Sequence, residues 1–460
     1  LILFFWFRAQ LILLLCILFA GVSAQAQLSG TYTVYGAGAN YATLQDAANA
    51  LNAGVSGPVV FKVRPGTWTD ANTTIATIGN VAGASATNTI TFEAENGSAA
   101  TTTIVNTSSS SSTTSNVIFY LNGAKYIRVR NLTLNKNNSS FGTVIRFDGD
   151  ADFNIIENCV LTGVTNTSTS TSMSRVFGQS MANANNNIVR NNTINGGSYG
   201  VYWFGNSTTS LSADNEFSGN TLVSPYTYGF YAYYTSNLKI TNNTITRSGA
   251  GTFYAVQLWY ADNAFDISGN TYTGTALTGT NYGIYLYYCD GTSTNRGNIN
   301  NNVITCSTTT SQLWNYIYYG NYYSFNNNKI TFTSTTGTLY PLYNYNYTNT
   351  SFQYGNDVYI NNNEITATAT SSAQIWLYGY QYYNKNCQFN GNKITFSGTT
   401  GAQYMYIAQW YTYNVRINNN IIKMLGTSGS KTLYAGYYYN RDSFEYSGND
   451  VAMNSTSGSL

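Results

Sequence analysis

The chain has 460 residues, of which only 8% are charged, with a net charge of +2 and no histidine. So thin a supply of Lys and Arg excludes a nucleic-acid or other polyphosphate partner, which needs clustered cations. The missing histidine removes the commonest general base and the commonest metal ligand together, and the Asn, Thr, Ser, Gly and Tyr that dominate instead suit neutral ligands such as sugars, or no ligand at all.

At the N-terminus, Arg8 precedes an apolar run at 11–20 and the small residues Gly-Val-Ser-Ala-Gln-Ala at 21–26. That order predicts a secretory signal peptide over 1–26, cut near Ala24 or Ala26, and therefore a secreted or cell-surface protein. Cys16 follows Leu-Leu-Leu rather than the small residues of a lipoprotein cleavage site, so no lipid anchor is assigned. No later stretch reaches the ~18 apolar residues of a membrane span. Residues 27–115 are expected to form an N-terminal cap and the first coils. Within them, Thr43 as N-cap with Asp46 at the third helical position predicts a helix over 41–51. The Ser/Thr run at 107–115 reads as an exposed loop.

Residues 116–460 are repetitive. The phrase reads I-T-N-N-T-I-T at 240–246, I-N-N-N-V-I-T at 299–305, F-N-N-N-K-I-T at 325–331, I-N-N-N-E-I-T at 360–366 and F-N-G-N-K-I-T at 389–395. Weaker copies place the key Asn at Asn131, Asn158, Asn192, Asn220, Asn270, Asn420 and Asn449. The mean period is about 29 residues, which signals a solenoid whose units bury a core only by stacking. Apolar residues five and three before the Asn (Leu238 and Ile240, Val358 and Ile360) and two after it (Ile245, Ile365) predict two short strands facing one core. Between them lies a corner where Asn tolerates positive φ and can stack into an amide ladder. A third, aromatic strand lies about 15 residues upstream: G-V-Y-W at 200–203, G-F-Y-A-Y at 229–233, G-I-Y-L-Y at 283–287, I-W-L-Y at 375–378 and M-Y-I-A at 405–408. Three strands per turn predict an all-β, right-handed, single-stranded parallel β-helix of about 12 or more coils, a monomeric rod. The closing N-S-T-S-G-S-L at 454–460 holds no capping helix or sorting domain, and the protein is expected to continue beyond it.

These motifs resemble the pectin-lyase-like superfamily of right-handed β-helices, whose corner between second and third strands often carries an Asn ladder. The segment Y-A-T-L-Q-D-A-A-N-A-L at 41–51, followed by V-V-F-K-V-R-P-G-T-W at 59–68, is similar to that superfamily's opening, where an amphipathic helix plugs the end of the core. The opening G-T-Y-T-V…N-Y-A-T-L…G-V-S-G-P-V is similar to secreted adhesin-like β-helix proteins of the Bacteroidetes type. The resemblance implies the architecture; the fold hosts lyases, hydrolases, adhesins and inert shafts alike.

Alternation along the aromatic strand places Val201, Phe230, Ile284, Ile317, Leu377 and Ile407 inside. Tyr202, Tyr231, Tyr285, Tyr318, Trp376 and Tyr406 then point outward in one column, with Tyr233, Trp259, Tyr287 and Tyr378 in a second. A flat, uncharged aromatic strip suits stacking against sugar rings of a polysaccharide or cell-surface glycan. Tyrosine also has high strand propensity and stacks well across a ladder, so the same columns could serve the shaft alone. An enzyme on this fold, a polysaccharide lyase or glycoside hydrolase, needs clustered acids with a base. The one such cluster is R-F-D-G-D-A-D at 146–152: Arg146, Asp148 and Asp150, with Arg175 one coil on. Asp-Gly-Asp also reads as an ordinary turn. Pairs such as Thr246/Ser248, Thr273/Thr275 and Thr331/Thr333 resemble the threonine arrays of ice-binding β-helices, although β-branched polar residues suit any exposed strand. Cys159, Cys289, Cys306 and Cys387 match no zinc spacing and read as unpaired thiols, with one disulfide among them as the alternative. No cofactor or metal is assigned.

Overall fold

A computed structural model of the protein describes residues 26–108, 110, 116–181, 184–346, 355–438 and 441–457. The expected signal peptide, up to residue 25, and most of the Ser/Thr run lie outside the described residues.

The chain winds through three sheets in turn, and one coil shows how the sequence does it. Tyr228–Ser236 runs in a first sheet, Lys239–Thr241 in a second and Thr244–Ser248 in a third, before Phe253–Asp262 re-enters the first. Each strand pairs in parallel with its counterpart one coil away. Among the described residues the first and third sheets each hold 14 strands. Period-two alternation turns apolar residues inward along most of these strands. Phe230, Ile240 and Ile245 meet at the axis, and neighbouring coils lay Val256, Ile267, Ile284 and Ile304 on them in one continuous core. Near the N-terminus the helix Leu44–Ala50 buries Leu44, Ala47 and Ala48 against that core, and Thr43 and Asp46 close a reciprocal capping box.

The corner between the second and third sheets carries the amide ladder. The side-chain Oδ1 of Asn243 accepts from both the backbone N–H and the Nδ2 of Asn220, at 2.9 and 3.0 Å, while its own Nδ2 donates to the Phe217 carbonyl and to Asn270. The pattern runs unbroken from Asn192 through Asn302, Asn328, Asn363, Asn392 and Asn420 to Asn449. Two details correct the sequence reading. The positive φ belongs to the residue before each ladder Asn, such as Asn242 at 56° or Gly269 at 69°. Asn131 and Asn158 occupy that left-handed slot, at 56° and 55°, and the ladder positions beside them are Leu132 and Cys159.

A second buried ladder, Asn154–Asn187–Asn215, holds the corner between the first and second sheets in earlier coils. A third runs on the outside of the second sheet, where Asn300, Asn326, Asn361 and Asn390 each accept from the backbone N–H of the next coil. Among the described residues Cys159, Cys289, Cys306 and Cys387 are buried and form no disulfide.

Candidate functional site

The outward face of the first sheet is aromatic over most of its length. Its rings fall into parallel columns set by strand register. One column runs Tyr199, Tyr228, Tyr254, Tyr282, Trp314 and Tyr340. A middle column runs Phe177, Tyr202, Tyr231, Gln257, Tyr285, Tyr316, Tyr343, Tyr378, Tyr406 and Tyr434. A third runs Phe204, Tyr233, Trp259, Tyr287, Tyr318 and Tyr345. At the corner beyond it, Tyr234, Tyr260, Tyr288 and Tyr319 sit in the left-handed region, with φ between 49° and 56°. That conformation costs roughly 1 kcal/mol per residue, offset here by ring contacts along the column: Tyr260 and Tyr288 stack 5.2 Å apart at 8°, and Tyr288 and Tyr319 at 4.6 Å and 21°.

This arrangement revises the sequence assignment. Val201, Phe230, Ile284, Ile317, Leu377 and Ile407 do point inward. Tyr202, Tyr231, Tyr285 and Tyr406 share the middle column, but Tyr318 stands behind Tyr287 in the third and Tyr378 belongs with Tyr406. Trp376 pairs with Tyr404, a ring the sequence reading missed. The cause is a local irregularity. Coils reading Tyr-Gly-x-Tyr, such as 228–231 and 282–285, set the ring columns three positions apart, whereas Trp314 and Tyr316 are two apart, so register shifts between those coils. Asn315 bridges the mismatch from inside: its Oδ1 accepts from the Ile284 N–H and its Nδ2 donates to the Pro341 carbonyl, both at 3.0 Å.

The rings are not freely exposed. Tyr202 is only 8% exposed, and most of its column is half-buried by mutual contact. Tyr254 and Tyr282 stack at 4.4 Å and 1°, Tyr378 and Tyr406 at 5.2 Å and 5°, Tyr287 and Tyr318 at 5.1 Å and 10°. Their faces are thus occupied by one another, and side chains standing off the sheet present ring edges and hydroxyls to solvent. Burial lifts the phenols of Tyr202, Tyr285 and Tyr343 to about 12, so these hydroxyls stay protonated well into the alkaline range.

Of the candidate acid–base residues, Arg146 and Asp148 come together, while Arg175 is buried away from the surface. Arg146 sits in the middle column itself, its guanidinium over Phe177 at 4.8 Å and Tyr120 at 5.7 Å, and it pairs with Asp148 at 2.8 Å. Asp148 also accepts from the Tyr120 hydroxyl, while Asp150 is exposed in the following bend. Arg175 is fully buried inside the coil, donating to the carbonyls of Asn195, Gly142 and Val164. It serves packing, not the surface.

On the third sheet the threonines are in register: Thr246, Thr273, Thr305, Thr331, Thr366 and Thr395 align before Lys423 ends the column. Arg247 is turned into the core beside Tyr226 and Phe253.

A family model described as a right handed beta helix region matches residues 116–298. The chain is a right-handed parallel β-helix, the architecture that the pectin-lyase-like resemblance implied. Similar solved structures include a rice weevil pectin methyl esterase, at 15% identity over 64% of this chain and 78% of that one, with a TM-score of 0.34. The A-module of the Azotobacter vinelandii mannuronan C-5 epimerase AlgE6 aligns at 12% identity over 89% and 94%, TM-score 0.34. The PL6 family alginate lyase AlyGC aligns at 10% identity over 87% and 81%, TM-score 0.31. Likeness at this level assigns no activity. No curated protein matches the chain. Among the described residues no helix is long and apolar enough to cross a membrane.

Proposed function

We propose that this protein is an exported, monomeric adhesive shaft whose tyrosine face docks along an extended, uncharged glycan. The observation that carries the reading is the register of the aromatic columns over consecutive coils. Coils repeat every ~4.8 Å, close to the length of one sugar in an extended polysaccharide, so a straight glycan laid along the rod meets the same edge-and-hydroxyl environment at each residue. Tyrosine suits such contacts because it is rigid and amphipathic, losing little conformational entropy on binding. Because the ring faces are already stacked, the contact is through phenol hydroxyls and ring edges rather than by sugar–ring stacking.

The test is retention on insoluble neutral polysaccharides. Replacing Tyr285, Tyr316 and Tyr343 together by Phe keeps the stacking and removes three hydroxyls from the middle column. Retention should fall at least tenfold while the far-UV CD spectrum is unchanged. Wild-type protein that passes through every polysaccharide tested would sink the reading. Thermal hysteresis on the same sample, in the absence of retention, would move the function to the threonine face.

A further inference from the structure

One ring outside the tyrosine face has an unoccupied side. Tyr359 lies on the second sheet, and among the described residues its contact is not another ring but the guanidinium of Arg296, 3.9 Å from its centroid. Arg296 belongs to an earlier coil and also donates to the Asp357 carbonyl, so it covers the N-terminal face of the ring and fixes the strand that carries it. The other side of Tyr359 opens into a cavity of about 420 Å³. Apart from Asp357 and Tyr359 themselves, the lining comes from later coils: Gln388 and Arg416 in the same outward column, Asn386, Asn414 and Ser443 along the rim, and the buried Cys387.

The rim is preset. Asp357, Asn386 and Asn414 all adopt the left-handed conformation, at 53°, 57° and 52°. Asn414 Nδ2 donates to Asn386 Oδ1 at 3.1 Å, and Ser443 Oγ donates to Asn414 Oδ1 at 3.1 Å. The Asp357 carboxylate carries no hydrogen bond or ion pair among the described residues. Arg416, two coil steps away, is already matched by Glu445 at 3.6 Å.

We propose that this cavity is a saccharide subsite for an uncharged hexopyranose unit. The apolar face of the sugar lies on the open face of Tyr359, with Arg296 as the backing that holds the ring in place. The free Asp357 carboxylate accepts from two neighbouring hydroxyls, a charge-assisted pair that a planar carboxylate makes well. Gln388 and the Asn386 amide hold the remaining hydroxyls. The volume lies in the range of small-ligand sites and accommodates one or two pyranose rings. A carboxylated sugar is disfavoured, because its carboxylate would face that of Asp357, which no cation among the described residues pairs. The site is on a different sheet from the tyrosine face and stands or falls independently of it.

The experiment is a saturation-transfer NMR titration of the full chain with methyl glucoside, methyl galactoside, methyl mannoside and methyl glucuronide. At least one neutral glycoside should bind saturably, with Kd on the order of 1 mM as expected for a single ring. Tyr359→Ala should weaken it at least tenfold, Asp357→Asn several-fold, and Tyr359→Phe little, since the phenyl ring still stacks. The triple Phe variant of the tyrosine face should leave this binding unchanged. No binding of any neutral glycoside, tighter binding of the glucuronide, or binding indifferent to Tyr359→Ala would each overturn the assignment. CD of every variant separates lost binding from lost fold.

Discussion

The amide ladder makes a graded prediction, because its rungs differ only in how much water can reach them. Asn302 lies mid-ladder and is 1% exposed. Its Oδ1 accepts from the N–H and Nδ2 of Asn270 at 3.0 and 3.1 Å, and its Nδ2 donates to the Ile267 carbonyl at 2.8 Å and to Asn328 at 3.0 Å. Asn302→Ala removes all of these, yet its backbone N–H still donates to Asn328. The buried Asn270 N–H and the Ile267 carbonyl lose their side-chain partner, at about 1–3 kcal/mol each, so the substitution should cost about 4 kcal/mol. Asn449 makes comparable bonds to Asn420 and Ile417, but at a part-buried position where water can substitute. Asn449→Ala should therefore cost only about 1 kcal/mol. Because stacked repeats can open locally, urea unfolding followed by CD should be paired with amide hydrogen exchange, in which the Asn270 N–H becomes the most accelerated site in Asn302→Ala. Equal costs at the two positions, or unchanged exchange at Asn270, would show that the ladder is a by-product of coil stacking and not a source of it.

Asp262 provides a pH test. Burial, and then the neighbouring Asp290 carboxylate, raise its pKa from 3.8 to about 6. The folded state thus favours the protonated acid, and stability should fall as pH rises from about 4 through 6, by about 1 kcal/mol after allowing for its partial exposure. Burial raises Asp290 as well, so Asp262→Asn should reduce that slope in Tm against pH and leave the part Asp290 contributes; a variant with the slope unchanged would place the titration elsewhere. A methyl group added at Gly163 would lie 2.4 Å from the Lys136 carbonyl and 2.9 Å from Arg175 Nη1. Gly163→Ala should accordingly cost about 2 kcal/mol in urea unfolding, and a neutral result would mean the coil relaxes around Arg175. Asn315→Val leaves the Ile284 N–H and the Pro341 carbonyl without their side-chain partner, for about 3 kcal/mol. It should also weaken the near-UV CD of the stacked rings around Tyr285 and Tyr316, which would persist if Asn315 did not hold the two registers together.

The coil was legible in the sequence because its corner makes two demands that fall on adjacent residues. One position must adopt a left-handed backbone, which Asn or Gly does most readily. The next must offer an amide to the coils above and below. Where both demands are met, as in Asn242–Asn243 or Gly391–Asn392, the motif is unmistakable. Where only one Asn is present, residue type alone does not say which demand it meets. Asn131 and Asn158 meet the backbone demand; Leu132 fills the ladder slot with apolar bulk, and at Cys159 a thiol donates to the Val129 carbonyl in place of an amide. In the first of these coils apolar packing does the work that amides do later on.

The binding face was legible in kind but not in register. Alternation by twos correctly sorts inward from outward residues within a strand, yet it cannot see that Tyr282–Tyr285 spans three residues where Trp314–Tyr316 spans two. A clue was present in the Gly after Tyr199, Tyr228 and Tyr282: a Cβ at Gly229 would lie 2.5 Å from the Ala255 carbonyl, so only glycine lets adjacent coils approach there. More consequentially, outward direction does not determine availability. Tyr285 and Tyr359 both point away from the core, but the first has rings for neighbours and the second has Arg296 on one side and a cavity on the other. Which face of a ring is free depends on residues one and two coils away, some 25–60 positions along the chain. That is why composition and alternation direct attention to the tyrosine columns and not to Tyr359 on the second sheet.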